Sequence, residues 1–194
     1  TNASTGVINV VANTGGGRTL AAQLDNQGQL TVGQALTLGR SSAVLSNSGT
    51  LDVSGGDLTI SQSGTTPSFT NTGTLTVGPG RTLTINNGAF TQQTGATLNG
   101  GGTLTLNAVT TVFSTGFTLG TLNISGGTAS VSTPISTAGL ALGLSNNATL
   151  NGTGAGSLSN PVGQTLTLTS ATIGATVPLD NQGLLLLHNS SAVN

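Results

Sequence analysis

Hydrophobic and polar residues alternate in short runs along the whole chain. Leu, Val or Ile exchange with Thr, Asp or Asn in residues 35–38, 57–60, 82–85, 103–106 and 165–169. A period of two sends one row of side chains inward and the next outward, which predicts short, half-buried β-strands. No stretch keeps a helical period over the length of an ordinary helix. Gly pairs and the Gly-Pro-Gly at 78–80 punctuate the runs as turns.

A longer repeat frames these runs. It opens Leu/Phe-x-Asn-x-Gly-x-Leu-x-Val, at 24–32, 45–53 and 69–77, with looser copies at 90–98 and 158–166 and a last one at 179–187. Successive starts at Leu24, Leu45, Phe69 and Phe90 step by 21, 24 and 21, and the step from Leu158 to Leu179 is again 21. The gap of 68 between Phe90 and Leu158 divides into three periods of about 23. The longest of the clear periods, from Leu45 to Phe69, carries an apparent loop insertion at 63–68. Residues 6–10 align with 28–32, so the chain holds about eight periods and a part, with no composition shift to mark a second domain.

Short strands, glycine turns and a repeat of about 21 residues predict an all-β fold, a parallel β-helix over residues 1–194. Each repeat makes one turn of two or three strands, and each strand pairs with its equivalent one turn up, at about 4.8 Å. One turn alone cannot bury its apolar row. Stacking buries it, with Leu30 over Leu51 over Leu75, and Leu36 over Leu58 over Leu83. Asn26, Asn47, Asn71, Asn160 and Asn181 share one repeat position. Stacked, they form a ladder of side-chain amides along the axis; alternatively they accept left-handed turn angles. Gly28, Gly49, Gly73 and Gly183, two positions further on, are expected to supply a backbone conformation that other residues resist.

This repeat resembles the β-helical repeats of filamentous haemagglutinin-like adhesins and autotransporter passenger domains. The resemblance spans nearly the whole chain and is weakest between about residues 107 and 157. It implies a right-handed parallel β-helix, secretion across a Gram-negative envelope, a place outside the cell or on its surface, and a role as stalk or adhesin. Neither the amino-terminal secretion signature of the haemagglutinin type nor a carboxy-terminal membrane barrel is visible, so the secretion route is open. The first residue is Thr1, with no charged n-region and apolar stretch. The expectation is a processed product or a fragment of a larger exported protein.

Composition narrows the function. Lys and Arg number three and Asp and Glu four, so 4% of residues are charged, against about 25% in an ordinary soluble domain. A net charge of −1 provides no footprint for nucleic acid. The longest apolar run, 184–187, is far short of a membrane span. There is no Cys, which removes disulfides, thiolate metal sites and thiol nucleophiles. Gly, Ser, Thr and Asn abound, yet the wealth of Leu, Val, Ile and Thr favours packed strands over disorder.

Candidate chemistry is sparse. The carboxylates are Asp25, Asp52, Asp57 and Asp180. Asp25 and Asp180 occupy one repeat position and Asp52 stands where Thr31 and Thr76 stand, so all look like occasional charges in an exterior polar row. A glycosidase pair separated by about 5 to 10 Å is not indicated. Asp52 and Asp57 approach across a turn, either as a solvated pair or as a weak Ca²⁺ site. His188 is the only histidine and has no visible partner. Arg18 and Arg81 both stand in Gly-Arg-Thr-Leu, and Arg40 also follows Gly. They fit turn positions with outward side chains, the alternative being a sugar or phosphate contact. The Gly clusters at 15–17 and 100–102 precede no helix, which argues against a phosphate loop. Phe113 and Phe117 are expected to fill the core, the alternative being exposed rings that stack on sugars. Asn-x-Ser/Thr sequons start at Asn2, Asn123, Asn147, Asn151 and Asn189. No catalytic residue, cofactor or metal is expected.

The exterior and the ends carry the remaining signal. Thr76, Thr84, Thr105 and Thr167 flank inward Leu, Val or Ile and make uncharged rows, interrupted by Asp52, Asn123 and Asn151. Neither end shows the polar or helical cap that solenoids normally need, so exposed strand edges invite pairing. The sequence therefore points to a non-catalytic extracellular β-solenoid, a rigid stalk or filament-forming segment of a bacterial surface protein. Its expected partners are further copies end to end and a surface carbohydrate or protein receptor, with neither nucleic acid nor a membrane span. The alternatives are an ice-binding solenoid using the Thr rows, or a carbohydrate-binding or carbohydrate-processing β-helix.

Overall fold

A computed structural model describes residues 1–194 and contains strands and turns but no helix. All strand pairs are parallel and join a strand to its counterpart one turn away. The chain winds through about nine turns with three faces. Face two holds one strand from every turn: Arg18–Leu20, Leu36–Leu38, Leu58–Ser61, Thr82–Asn86, the first halves of Thr103–Phe113 and Thr121–Val131, Ala141–Ser145, Thr165–Thr169 and Leu184–His188. Nine strands stacked at about 4.8 Å give a rod about 40 Å long.

Face three follows face two after a tight corner. It runs Asp25–Asn26, Val44–Asn47, Ser68–Asn71, Ala89–Gln92, the second halves of the two long strands, Thr149–Gly152, Thr172–Ile173 and Ala192–Val193. The corner between these faces holds a left-handed residue in six successive turns: Asn87, Ala108, Gly126, Asn146, Ser170 and Asn189, with φ of 51° to 74°. Asn and Gly accept that conformation readily; Ala108, at φ 54°, does so at a cost.

Face one is split. Its first sheet is Val7–Val10, Gln29–Val32, Thr50–Val53, Thr74–Val77 and Thr97–Asn99; its second is Ile135–Ser136, Leu158–Asn160 and Leu179–Asn181. Residues 114–120 pass between them without forming a strand. The turn that contains them is short: Thr111 and Ala129 are in register on face three, a step of only 18 in sequence number. By contrast Leu58 and Leu83, which bracket the insertion at 62–67, are in register at a step of 25.

The core is the stack of inward rows, a single cluster of 40 buried apolar residues. Leu30, Leu51 and Leu75 lie in register on face one, and Leu36, Leu58, Leu83, Leu104 and Leu122 on face two. Each buried Leu contributes about 1.5–3 kcal/mol, so stacking supplies what no single turn has. On face three Phe69 stacks on Phe90, centroids 5.4 Å apart, and Phe90 meets Phe113 edge-on at 6.0 Å. Phe113 is buried and Phe117 packs on it at 4.7 Å while remaining partly exposed.

Candidate functional site

The most ordered polar feature is a ladder of buried amides at the corner where face three turns into face one. Asn2 Nδ2 donates to Asn26 Oδ1, Asn26 to Asn47 and Asn47 to Asn71, each at 2.7 Å, and Asn71 donates to Gln92 Oε1 at 2.8 Å. The same Nδ2 groups reach across the corner to a backbone carbonyl of the next turn: Asn26 to Thr50 and Asn47 to Thr74, both at 3.0 Å. Asn26, Asn47 and Asn71 are 2% exposed or less. Each amide thus satisfies buried backbone as well as its neighbour, and buried polar groups without partners are costly.

Asn160 and Asn181 belong to a different ladder. Thr137 Oγ1 donates to Asn160 Oδ1 at 2.8 Å, and Asn160 Nδ2 donates to Asn181 Oδ1 at 2.7 Å and to the Leu184 carbonyl at 3.1 Å. This ladder lies at the corner where face one turns into face two. The single column expected from the repeat is therefore two columns at two corners. The gap from Phe90 to Leu158 explains the shift. Phe90, Thr111, Ala129 and Leu150 are in register at steps of 21, 18 and 21, and Leu158 follows Leu150 on the next face. The gap is three shorter turns plus one face, rather than three equal periods.

The ladder residues that the repeat did not single out are Asn2, Gln92 and Thr137. Gln92 was legible, since it stands third in the loose copy that starts at Phe90. It also ends the first ladder: Phe113 occupies the next position, and Gln92 Nε2 is buried without a partner, as is Thr111 Oγ1 one turn up.

The turn glycines sit where expected, but for another reason. None of Gly28, Gly49, Gly73 and Gly183 has a positive φ. A Cβ on Gly49 would lie 2.0 Å from the Gly28 carbonyl oxygen, and one on Gly73 2.2 Å from that of Gly49. Close approach of successive turns, not backbone angle, requires glycine there.

The charged residues are scattered. Asp25 is on face three and Asp180 on face one, so the repeat position assigned to both is two places in the fold. Asp52 has Thr31 and Thr76 as its register neighbours. Asp57 accepts from the Thr82 backbone N–H at 2.9 Å. Ser46 Oγ and Gln27 Nε2 both donate to the Asp25 carboxylate at 2.7 Å, which holds its pKa below the ordinary 3.8. No group of three or more His or carboxylate side chains converges as a metal site. Arg18 is not at a turn: it starts a strand in register with inward Leu36, at the open end of that column. Leu20 pairs onward to Leu38, Ile60 and Ile85, so the two Gly-Arg-Thr-Leu segments are two positions out of step. His188 ends the last face-two strand and is exposed. Of the sequon residues, Asn2 is a buried ladder member, while Asn147 and Asn189 have positive φ at the corner between faces two and three.

The outer wall resolves into separate columns. On face two Thr19, Thr37, Thr59, Thr84 and Thr105 stand in register through five turns, followed by Asn123, Gly143 and Thr167. The three interruptions seen in the sequence fall on three faces: Asp52 on one, Asn123 on two, Asn151 on three. The face-two column is therefore unbroken Thr from Thr19 to Thr105, while the next outward column holds Ser61, Asn86 and Asn107.

These features define the class, a three-faced parallel β-solenoid repeat protein stapled by two amide ladders. In comparisons with known proteins, no family model, curated protein or solved structure matches the chain.

Proposed function

We propose that the chain is a non-catalytic, extracellular structural and adhesive rod, a segment of a bacterial surface protein of the filamentous haemagglutinin-like or autotransporter kind. The observation that carries this reading is the pairing of an axial ladder system with a nearly uncharged wall. The amide ladders and parallel pairing tie each turn to the next, so reach grows with turn number. The Thr, Ser and Asn exterior tolerates water and makes few ionic contacts. Leu184, Leu187 and Val193, in the last turn described, are 54%, 49% and 40% exposed, an apolar edge on which a further turn, of this protein or of a second copy, can stack. The test is electron microscopy of the purified chain together with retention, under flow, of Gram-negative cells displaying it. Rods joined end to end, or retention above that of cells without the chain, support the reading. Isolated particles and no retention refute it.

A second reading is favoured by one observation, the unbroken Thr column on face two. Hydroxyl and methyl groups repeat there at the strand spacing of about 4.8 Å in an uncharged column, as a surface that orders an ice lattice requires. Thermal hysteresis in a solution of the chain, abolished by Thr59→Lys, is the expected outcome; its absence ends this reading.

A further inference from the structure

Three shallow concavities between residues 116 and 169 join into one trough. The first, about 260 Å³, lies on face one between the strandless residues 116–119 and the strand Ile135–Ser136; Phe117, Ile135 and Leu140 line it with Thr118 and Ser136. The second, about 240 Å³, shares Gly139 and Leu140 with the first and adds Gln164 and Thr165. The third, about 390 Å³, shares Ala141 and Thr165 with the second and lies on face two around Gly143, beside Asn123 and Thr167. The trough thus runs round the rod from face one, over the corner, onto face two.

It exists because the repeat fails there. The shortened turn leaves 114–120 without strand pairing, and the Thr column gives way to Asn123 and Gly143. A Cβ at 143 would fall 2.6 Å from Asn123 Oδ1, so the glycine leaves room for that amide.

The lining is concave, uncharged and rich in hydroxyls. No Asp, Arg or His borders any of the three concavities. Of the four Phe, three are at most 3% exposed, and only Phe117 brings part of its ring to the surface, inside the trough. The side chains of Asn123, Gln164, Thr165 and Thr167 make no hydrogen bond within the fold and are free to donate and accept.

We propose that this trough binds a short neutral oligosaccharide. A sugar ring lays its C–H face on the Phe117 ring, while its hydroxyls exchange hydrogen bonds with the amides of Asn123 and Gln164 and the hydroxyls of Thr165 and Thr167. A few placed polar groups in a concave, partly apolar site is the usual make-up of a small-molecule pocket. Charged sugars find no counter-ion in the lining. An extended peptide added to the sheet edge fits less well, because Thr118 N already donates to the Leu98 carbonyl at 3.0 Å and occupies the edge of Thr97–Asn99. The inference names a partner for the adhesive rod and rests on that reading.

The experiment is amide-resolved NMR titration of the whole chain with chitotetraose, cellotetraose and maltotetraose. At least one is expected to shift amides in 116–119, 134–145 and 164–169 and to leave those in 29–32 unmoved. Phe117→Leu, which keeps an apolar contact with Phe113, and Gly143→Thr, which fills the face-two end, should each weaken that binding at least tenfold. If Phe117→Leu fails to fold, Asn123→Ala on the outer wall serves instead. No shift with any of the three sugars overturns the proposal. So do shifts spread along the rod, variants that bind as tightly as the parent, or a neutral Thr/Val decapeptide that moves these amides when no sugar does. End-to-end rods in micrographs with no sugar binding sink this inference alone and leave the structural reading standing.

Discussion

Replacing Asn47 with Ala tests whether the ladder holds the turns together. The Asn47 amide donates to Asn71 Oδ1 at 2.7 Å and to the Thr74 carbonyl at 3.0 Å, and accepts from Asn26 Nδ2 at 2.7 Å. The residue is 1% exposed, so water cannot replace these bonds at little cost. Three net hydrogen bonds and a stranded Asn71 oxygen make about 3–5 kcal/mol. For a chain of this length each kcal/mol lowers the melting temperature by about 2–4 °C, which makes the expected drop on the order of 10 °C. Asn181→Ala is the internal control. That side chain is exposed at the end of the second ladder and accepts one bond, from Asn160, which keeps its bond to the Leu184 carbonyl. Its loss should cost about 1 kcal/mol or less. The assay is thermal unfolding followed by far-ultraviolet circular dichroism. If Asn47→Ala melts no lower than Asn181→Ala, the amides are ornaments on turns held by other forces.

Gly49→Ala should abolish soluble, folded protein, because its Cβ would lie 2.0 Å and 2.5 Å from the backbone oxygens of Gly28 and Gln27; recovery in the soluble fraction measures this. Ala108→Gly should raise stability by about 0.5–1 kcal/mol, since relief of a left-handed alanine outweighs the added freedom of the unfolded chain; denaturant titration reads the sign. Asp25 has a folded pKa below its unfolded value, so its contribution is present above about pH 4 and is lost as pH falls through the folded value. Asp25→Asn should therefore flatten the acid limb of the stability profile by lowering stability at neutral pH towards its acid value, as denaturant titrations at pH 7 and pH 3 will read.

The architecture was legible because its two signals are local. Alternation at period two names strands, and recurrence of one motif at a nearly constant spacing names turns, as the in-register Leu30, Leu51 and Leu75 show. The assignment of Asn160 to the column of Asn71 failed because Leu-x-Asn encodes a corner, not a particular corner, and Asn160 lacks the glycine two positions on, Val162 standing there. An amide facing inward after a strand, followed by a glycine pressed against the turn below, works equally where face three meets face one and where face one meets face two. Only the register across residues 90–150 distinguishes the two, and there the loose repeat conceals the shortened turn between Thr111 and Ala129. The trough was illegible for a related reason. Phe117 and Leu140 come from successive turns, and the sequence places them side by side only once the turn that holds Phe117 is known to be shortened.

The slip between ladders also bears on how such a rod can do more than extend. A perfect repeat presents the same wall at every turn, and a partner that fits one turn fits them all. Distinct recognition needs a place where the period fails, yet failure removes the bonds that hold the turns. The chain concentrates both effects in one stretch. The first ladder ends at Gln92, whose Nε2 has no partner, and the second begins at Thr137. Between them neither ladder runs, the one amide rung being Asn107 Nδ2 to Asn86 Oδ1 at 2.9 Å; face one loses its strand, and Phe113 links Phe90 to Phe117 within the aliphatic core. Aromatic packing is less demanding of register than a hydrogen-bonded column, so it bridges the slip without requiring one residue type per turn. The surface becomes concave where the first ladder has ended, and the trough runs on past Thr137, the first rung of the second ladder, which lines it.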